Sequence, residues 1–162
     1  MKLIRNFILL LLFVVISTAK AQDISSWKIK DVVNYMDKSD SVLVINFWAT
    51  FCKPCIEEIP YLESITQKYK DQKVKVLLVS LDLPGFFPGK IEDFVKKNNY
   101  SSRIVWLNES NADYFCPKID KSWTGGIPST VIINRRTGYK KFFEEQIPEN
   151  KLEQEIKALV KK

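Results

Sequence analysis

Two cysteines, Cys52 and Cys55, enclose Lys53-Pro54 and follow directly on the apolar run Val42-Leu43-Val44-Ile45-Asn46-Phe47-Trp48. The run is rich in β-formers, Ala49-Thr50-Phe51 is a short connection, and a helical pattern opens at the first cysteine. This spacing puts a thiol pair where a strand hands over to a helix. The unpaired amides and positive dipole end of such a terminus stabilise an anion, which favours the Cys52 thiolate. Its pKa is expected to fall below the free value of ~8.5. Two intervening residues bring Cys55 within reach of a bond closing one helical turn, and Pro54 suits the first turn, where its missing N–H costs nothing. A reversible disulfide is the expected chemistry. Lys53 adds positive charge through water and counts as minor.

Half of a zinc site is the competing reading of the pair. The chain supplies three cysteines and no histidine, too few for the usual four ligands, so no metal is expected. The lack of histidine also removes a Cys–His hydrolytic dyad, and any proton acceptor must be a carboxylate, a lysine or water. Glu58 is the candidate. Cys55, Ile59, Leu62, Ile65 and Tyr69 define a buried helical stripe, and Glu58 lies one turn beyond Cys55 on its edge. Partial burial would raise its pKa and let it take the proton of Cys55; the alternative is a solvated or lysine-paired carboxylate. Glu57 points to a more exposed side, where it would only complement the helix dipole.

The chain opens with the marks of a secretory signal over residues 1–21. Lys2 and Arg5 precede ten apolar residues, Phe7 to Ile16, and Ala19-Lys20-Ala21 forms an A-x-A cleavage site. The run is short for a membrane span of ~20 residues, although an uncleaved anchor is the alternative. Residues 22–162 then form one domain. Removing Lys2, Arg5 and Lys20 lowers the basic count from 25 to 22 against 19 acids, so the net charge falls from +6 to +3. The remaining basic residues are scattered among acids without a stripe of stacking aromatics, and nucleic acid is not an expected partner. An exported, periplasmic-type setting is oxidising, so the pair would rest as a disulfide unless an electron donor reduces it.

The element order expected is a short helix at Ile29–Met36, a strand at Val42–Trp48 and a long helix from Cys52 to about Tyr69. A second buried strand at Val74–Leu81, a helix at Ile91–Asn98 and a short strand at Arg103–Leu107 follow. A hairpin of Ser129–Asn134 and Tyr139–Glu144 turns at Arg135-Arg136-Thr137-Gly138, and a final helix covers Glu149–Val160. Alternation of this kind gives an α/β fold, a sheet covered by helices on both faces.

In this order and in its motifs the chain resembles the thioredoxin superfamily, and more closely its exported TlpA/ResA type, over roughly residues 24 to 161. The motifs are Asn46-Phe47-Trp48-Ala49-Thr50-Phe51-Cys52-Lys53-Pro54-Cys55, the helical Pro60, and Gly126-Ile127-Pro128-Ser129-Thr130. The resemblance implies a thioredoxin-like fold with a central mixed β-sheet, Val74–Leu81 at its centre, and insertions at Leu83–Gly89 and Asn108–Lys121. It implies a cis Pro128 beside the disulfide, leaving the backbone of Ile127 free to pair with a substrate segment. It also implies a functional glutamate at Glu58, whereas Asn46 stands where thioredoxin has a buried aspartate. Phe51 replaces the usual tryptophan before the first cysteine.

Trp48 and Phe51 flank the pair and are candidates for a docking surface, with core packing the alternative for Trp48. Phe86 and Phe87 are expected to fold back over the sheet, Trp123 and Tyr114 to join the core, and Cys116 to be a buried, inert thiol. The activity expected is thiol–disulfide oxidoreduction. Cys52 is the nucleophile, Cys55 the resolving thiol and Glu58 the proton acceptor, with no dissociable cofactor. By resemblance, the substrates are disulfide-containing exported proteins, apocytochromes among them, and electrons come from a membrane thiol donor. A monomer is expected. Alternatives are a disulfide oxidase or isomerase using the same pair, or a chaperone-like module that binds polypeptide beside Pro128. A peroxidase is disfavoured, because no histidine and no Thr-x-x-Cys loop with an arginine partner is seen.

Overall fold

The computed structural model describes residues 23–160. The signal-like segment, residues 1–21, lies outside them. Eleven elements follow in order: β1 (Ser25–Trp27), α1 (Ile29–Lys38), β2 (Val42–Trp48), α2 (Lys53–Lys68), β3 (Val74–Ser80), α3 (Gly89–Lys97), β4 (Arg103–Leu107), α4 (Ala112–Ile119), β5 (Ser129–Asn134), β6 (Tyr139–Phe143) and α5 (Glu149–Val160).

The strands form one mixed sheet in the order β1-β4-β3-β2-β5-β6. Strands β1, β4, β3 and β2 pair in parallel, while β5 is antiparallel to both β2 and β6. All seven residues of β2 are buried, because helices cover both faces of the sheet and neither side of this strand meets water. Alternate side chains divide between two cores. Val42, Val44 and Trp48 join α2, α3 and α5 through Ile59, Leu62, Ile91, Leu152 and Ile156. Leu43, Ile45 and Phe47 join α1 and α4 through Ile29, Val32, Phe115 and Ile119. Asn46 is the polar residue on the first of these faces, and it looks toward α2.

Two elements differ from the sequence expectation. Strand β1 is only Ser-Ser-Trp, too short to carry an alternating pattern, and it forms by pairing with β4 at the sheet edge. The segment expected as an insertion, Asn108–Lys121, contains helix α4, which brings Phe115, Cys116 and Ile119 onto the second core. Strands β3 and β2 share the middle of the sheet. The Leu83–Gly89 segment holds a 3-10 turn at Pro84–Phe86. Phe87 folds back and stacks on Trp106, with ring centroids 4.5 Å apart.

Candidate active site

Strand β2 ends at Trp48 and the chain turns at once into α2. The Cys52 N–H bonds to the Ala49 carbonyl at 3.0 Å, and Cys52 caps the helix, its Sγ accepting from the Cys55 N–H at 3.3 Å. Cys52 and Cys55 are joined as a disulfide. The two sulfurs are not equivalent. Cys52 keeps 8% of its surface exposed and Cys55 none, so a partner reaches only Cys52. Lys53 points outward and pairs with Glu57 at 3.8 Å, which fixes Glu57 on the solvent side.

Asp82, just past β3, holds the turn from behind. Its carboxylate accepts from the Thr50 hydroxyl at 2.6 Å, the Thr50 N–H at 3.1 Å and the Ser80 hydroxyl at 2.7 Å. A buried carboxylate with three donors fixes a loop that apolar packing alone would leave loose. Sequence reasoning missed Asp82; an acidic residue two positions past a buried Ser at a strand end was the available signal.

Glu58 is fully buried one turn beyond Cys55. Its Oε1 accepts from Asn46 Nδ2 at 2.5 Å and its Oε2 from the Ile147 N–H at 3.0 Å. Burial pushes its carboxyl up to about 7, and the bonds from the Ile147 N–H and the Asn46 amide only partly offset that rise. Tyr61 supports the arrangement by donating to the Ile147 carbonyl at 2.6 Å, and Asn46 donates a second bond to the Thr130 hydroxyl at 2.9 Å. The carboxyl thus lies in the interior rather than on the helix edge, because strand β2 offers it an amide there.

The second half of the site precedes β5. The Ile127–Pro128 peptide is cis. The register Phe47↔Ser129 sets the start of β5 beside the end of β2, and Ile127 packs against the core that contains both cysteines. Neither the N–H nor the carbonyl of Ile127 takes part in a backbone bond among the described residues.

Phe51 stands 64% exposed beside Cys52, and Leu83 63% exposed at the end of the neighbouring strand. Trp48 is corrected as a docking residue. It is completely buried, its ring against Phe94 and Tyr100 at 5.9 Å, because the alternation of β2 turns it into the core. Tyr114 departs from expectation in the opposite sense. It is 51% exposed under the Lys118 ammonium, since α4 turns Phe115 and Cys116 inward instead. Trp123 and Cys116 are in the core. A cleft of about 390 Å³ lined by Glu63, Lys70, Lys75 and Arg103 among others opens at the opposite end of the sheet and contains none of these groups.

The AhpC/TSA family profile matches residues 16–138. The chain belongs to the AhpC/TSA family. Within this family it is similar to the thiol-disulfide oxidoreductase ResA of Geobacillus thermodenitrificans, 24% identical over 115 residues, which is 71% of this chain and 61% of that protein. Against the ResA of Halalkalibacterium halodurans it is 31% identical over 90 residues, 56% of this chain and 46% of the relative. It therefore spans about half to three-fifths of the length of these relatives. Among solved structures it resembles a candidate thiol:disulfide interchange protein DsbE of Chlorobium tepidum, with a TM-score of 0.61 and 26% identity over 78% of this chain and 84% of that one. A thioredoxin-related protein of Neisseria meningitidis serogroup B shares the fold, with a TM-score of 0.65 and 24% identity over 78% and 91% of the two chains. This AhpC/TSA member has the thioredoxin-like α/β architecture that its sequence implied, and no helix among its described residues is long and apolar enough to cross a membrane.

Proposed function

We propose that the chain is an exported thiol–disulfide oxidoreductase that reduces disulfides in exported proteins. The observation that carries this reading is the unequal pair: an accessible sulfur at a helix terminus bonded to a buried one, with a buried carboxyl one turn further on. In the reduced enzyme the Cys52 thiolate attacks a substrate disulfide, bonds to one sulfur and expels the other as a thiolate. Glu58 takes the proton of Cys55. The Cys55 thiolate then attacks Cys52, re-forms the internal disulfide and releases the second substrate thiolate. Two electrons pass from the pair to the substrate. A membrane dithiol donor would restore them.

The open backbone of Ile127 supports a protein substrate, since an extended segment could pair with it beside Cys52. Phe51, exposed next to the nucleophile, supplies apolar contact. Hydroperoxide reduction is poorly supported. Arg103 lies over Trp27 and Tyr35 at the start of β4, and Arg135 pairs with Asp37 beyond β5, both at the far end of the sheet from Cys52.

Direction is tested by the equilibrium reduction potential of the Cys52/Cys55 pair, read by thiol trapping in a Cys116→Ser background. A value at or below about −250 mV is expected of a reductant. A value of about −120 to −180 mV would make the protein an oxidase or isomerase instead.

A further inference from the structure

The loop that carries Ile127 is held by a carboxylate from the far end of β6. Glu144, the residue after β6, directs its carboxylate into the Trp123–Pro128 segment. Its Oε1 accepts from the Thr124 hydroxyl at 2.5 Å, the Thr124 N–H at 3.0 Å and the Gly126 N–H at 2.7 Å, and Oε2 also takes the Thr124 N–H at 3.0 Å. The carbonyl of Gly126 is occupied too, by the Trp123 indole N–H at 2.9 Å and the Ser129 hydroxyl at 2.6 Å. Both polar groups of Gly126 are therefore committed within the protein, and the next residue, Ile127, keeps both of its own free of backbone bonds. A Cβ at Gly126 would stand 3.0 Å from Glu144 Oε1, so a methyl there would crowd the clasp and the carboxylate would have to give by a few tenths of an ångström. Partial burial works against the Glu144 charge, but the Thr124 hydroxyl and the amides of Thr124, Gly126 and Gly125 outweigh it and hold the carboxyl below its usual range.

We propose that Glu144 is a positioning residue for substrate: it locks Thr124–Gly126 so that the free N–H and carbonyl of Ile127 stand ready to pair with an extended segment of a protein disulfide. The inference rests on the oxidoreductase reading above and adds to it where recognition is organised. Glu144 does not touch the sulfurs and takes no part in the exchange of electrons. An ordered docking segment spares the complex the cost of fixing that loop at the moment of binding. A loose loop weakens the capture of a protein substrate and leaves the sulfur chemistry unaltered.

The test compares insulin, a protein disulfide, with 5,5′-dithiobis(2-nitrobenzoate), a small disulfide that needs no added strand, using the reduced full-length protein. Glu144→Ala is expected to raise KM for insulin by roughly threefold to tenfold with kcat nearly constant, while the rate with the small disulfide changes less than about twofold. Glu144→Gln, whose amide oxygen can replace Oε1 as acceptor, should recover most of the wild-type KM. Gly126→Ala, which crowds the carboxylate without removing it, should give a smaller defect of the same kind, in KM for insulin alone. Amide exchange at Thr124 and Gly126 should quicken in the Ala variants and not in Glu144→Gln. An unchanged insulin KM in Glu144→Ala, or parallel losses on both disulfides, overturns the role of Glu144. Failure of the wild-type protein to reduce either disulfide overturns the oxidoreductase reading itself, and the positioning role with it.

Discussion

The side-chain amide of Asn46 stands 2.5 Å from the carboxyl of Glu58, joining the middle of β2 to the first half of α2 inside the core. Asn46 Oδ1 has no hydrogen-bond partner among the described residues. An amide offers a donor and an acceptor, so Asn46 can serve a charged Glu58 through Nδ2 and a protonated one through Oδ1 without backbone movement. The proton exchange proposed for Glu58 is well matched to such a neighbour. Aspartate in its place could not donate when ionised.

Glu58→Gln should lower kcat for disulfide reduction by about a hundredfold, the lower end of what a positioned proton acceptor contributes. The wild-type pH–rate profile should show a limb near pH 7, set by the raised Glu58 carboxyl, and the variant should lose it. A profile identical in the two proteins would return Glu58 to a structural role.

The same carboxyl makes stability depend on pH in a stated direction. Its folded-state value, about 7, lies above the ordinary 4.5, so the native state holds more protons than the unfolded state between these limits. Stability from this group is complete below about pH 4.5 and falls as pH rises through 7, by an amount on the order of 3 kcal/mol. Denaturant unfolding of the oxidised protein at pH 5 and pH 8 measures it. Glu58→Gln should flatten that difference and Asn46→Asp should enlarge it, because two adjacent carboxylates cannot both ionise cheaply. An Asn46→Asp protein as stable at pH 8 as at pH 5 would show that the two groups do not interact.

Cys52→Ser should abolish reduction of both protein and small disulfides, since the exposed sulfur of the pair is gone. Cys55→Ser should instead accumulate a mixed disulfide with its substrate, visible by mass spectrometry and released by dithiothreitol. Turnover surviving in Cys52→Ser would remove the mechanism.

Cys116 should behave as a packing group. Burial, with smaller contributions from Glu144 and Asp113, pushes its thiol up to about 11. Iodoacetamide at pH 8 should label it at least about a hundredfold more slowly in the folded protein than in urea. Cys116→Ser should leave the potential of the Cys52/Cys55 pair unchanged to within about 10 mV. Rapid native labelling would point to a third reactive thiol.

The sequence exposed the site where local pattern and chemistry coincided. The apolar run of β2, the helix opening at Cys52 and the stripe through Ile59, Leu62 and Ile65 were all readable because each is a repeat within one element. Glu58 was found from its angular position on α2, but the depth of its burial was not, because that depends on Asn46 and Ile147, which are 12 residues before it and 89 after it. Asp82 and Glu144 were invisible for the same reason: each acts on a loop 32 or about 20 residues away, and an isolated acid beside a strand end looks solvated. Trp48 was left between docking surface and core because a strand buried on both faces gives no alternation from which to read direction. Helix α4 was hidden by Pro117 within it and by its eight-residue length.

The pairing of β2 with β5 has a consequence for how such a protein can vary. Phe47 lies opposite Ser129 and Asn46 opposite Thr130, so the strand leading into Cys52 and the strand leaving Pro128 are measured against each other residue by residue. A slip of one position would turn Thr130 away from Asn46 and draw the peptide-accepting loop out of line with the sulfur. Insertions beyond Asp82 or within the α4 region leave that alignment untouched. The Leu83–Gly89 segment, past Asp82, and α4 itself, ahead of the Trp123–Pro128 loop, can therefore diverge to suit new clients, while a single residue gained or lost inside β2 or β5 would silence the chemistry without altering either cysteine.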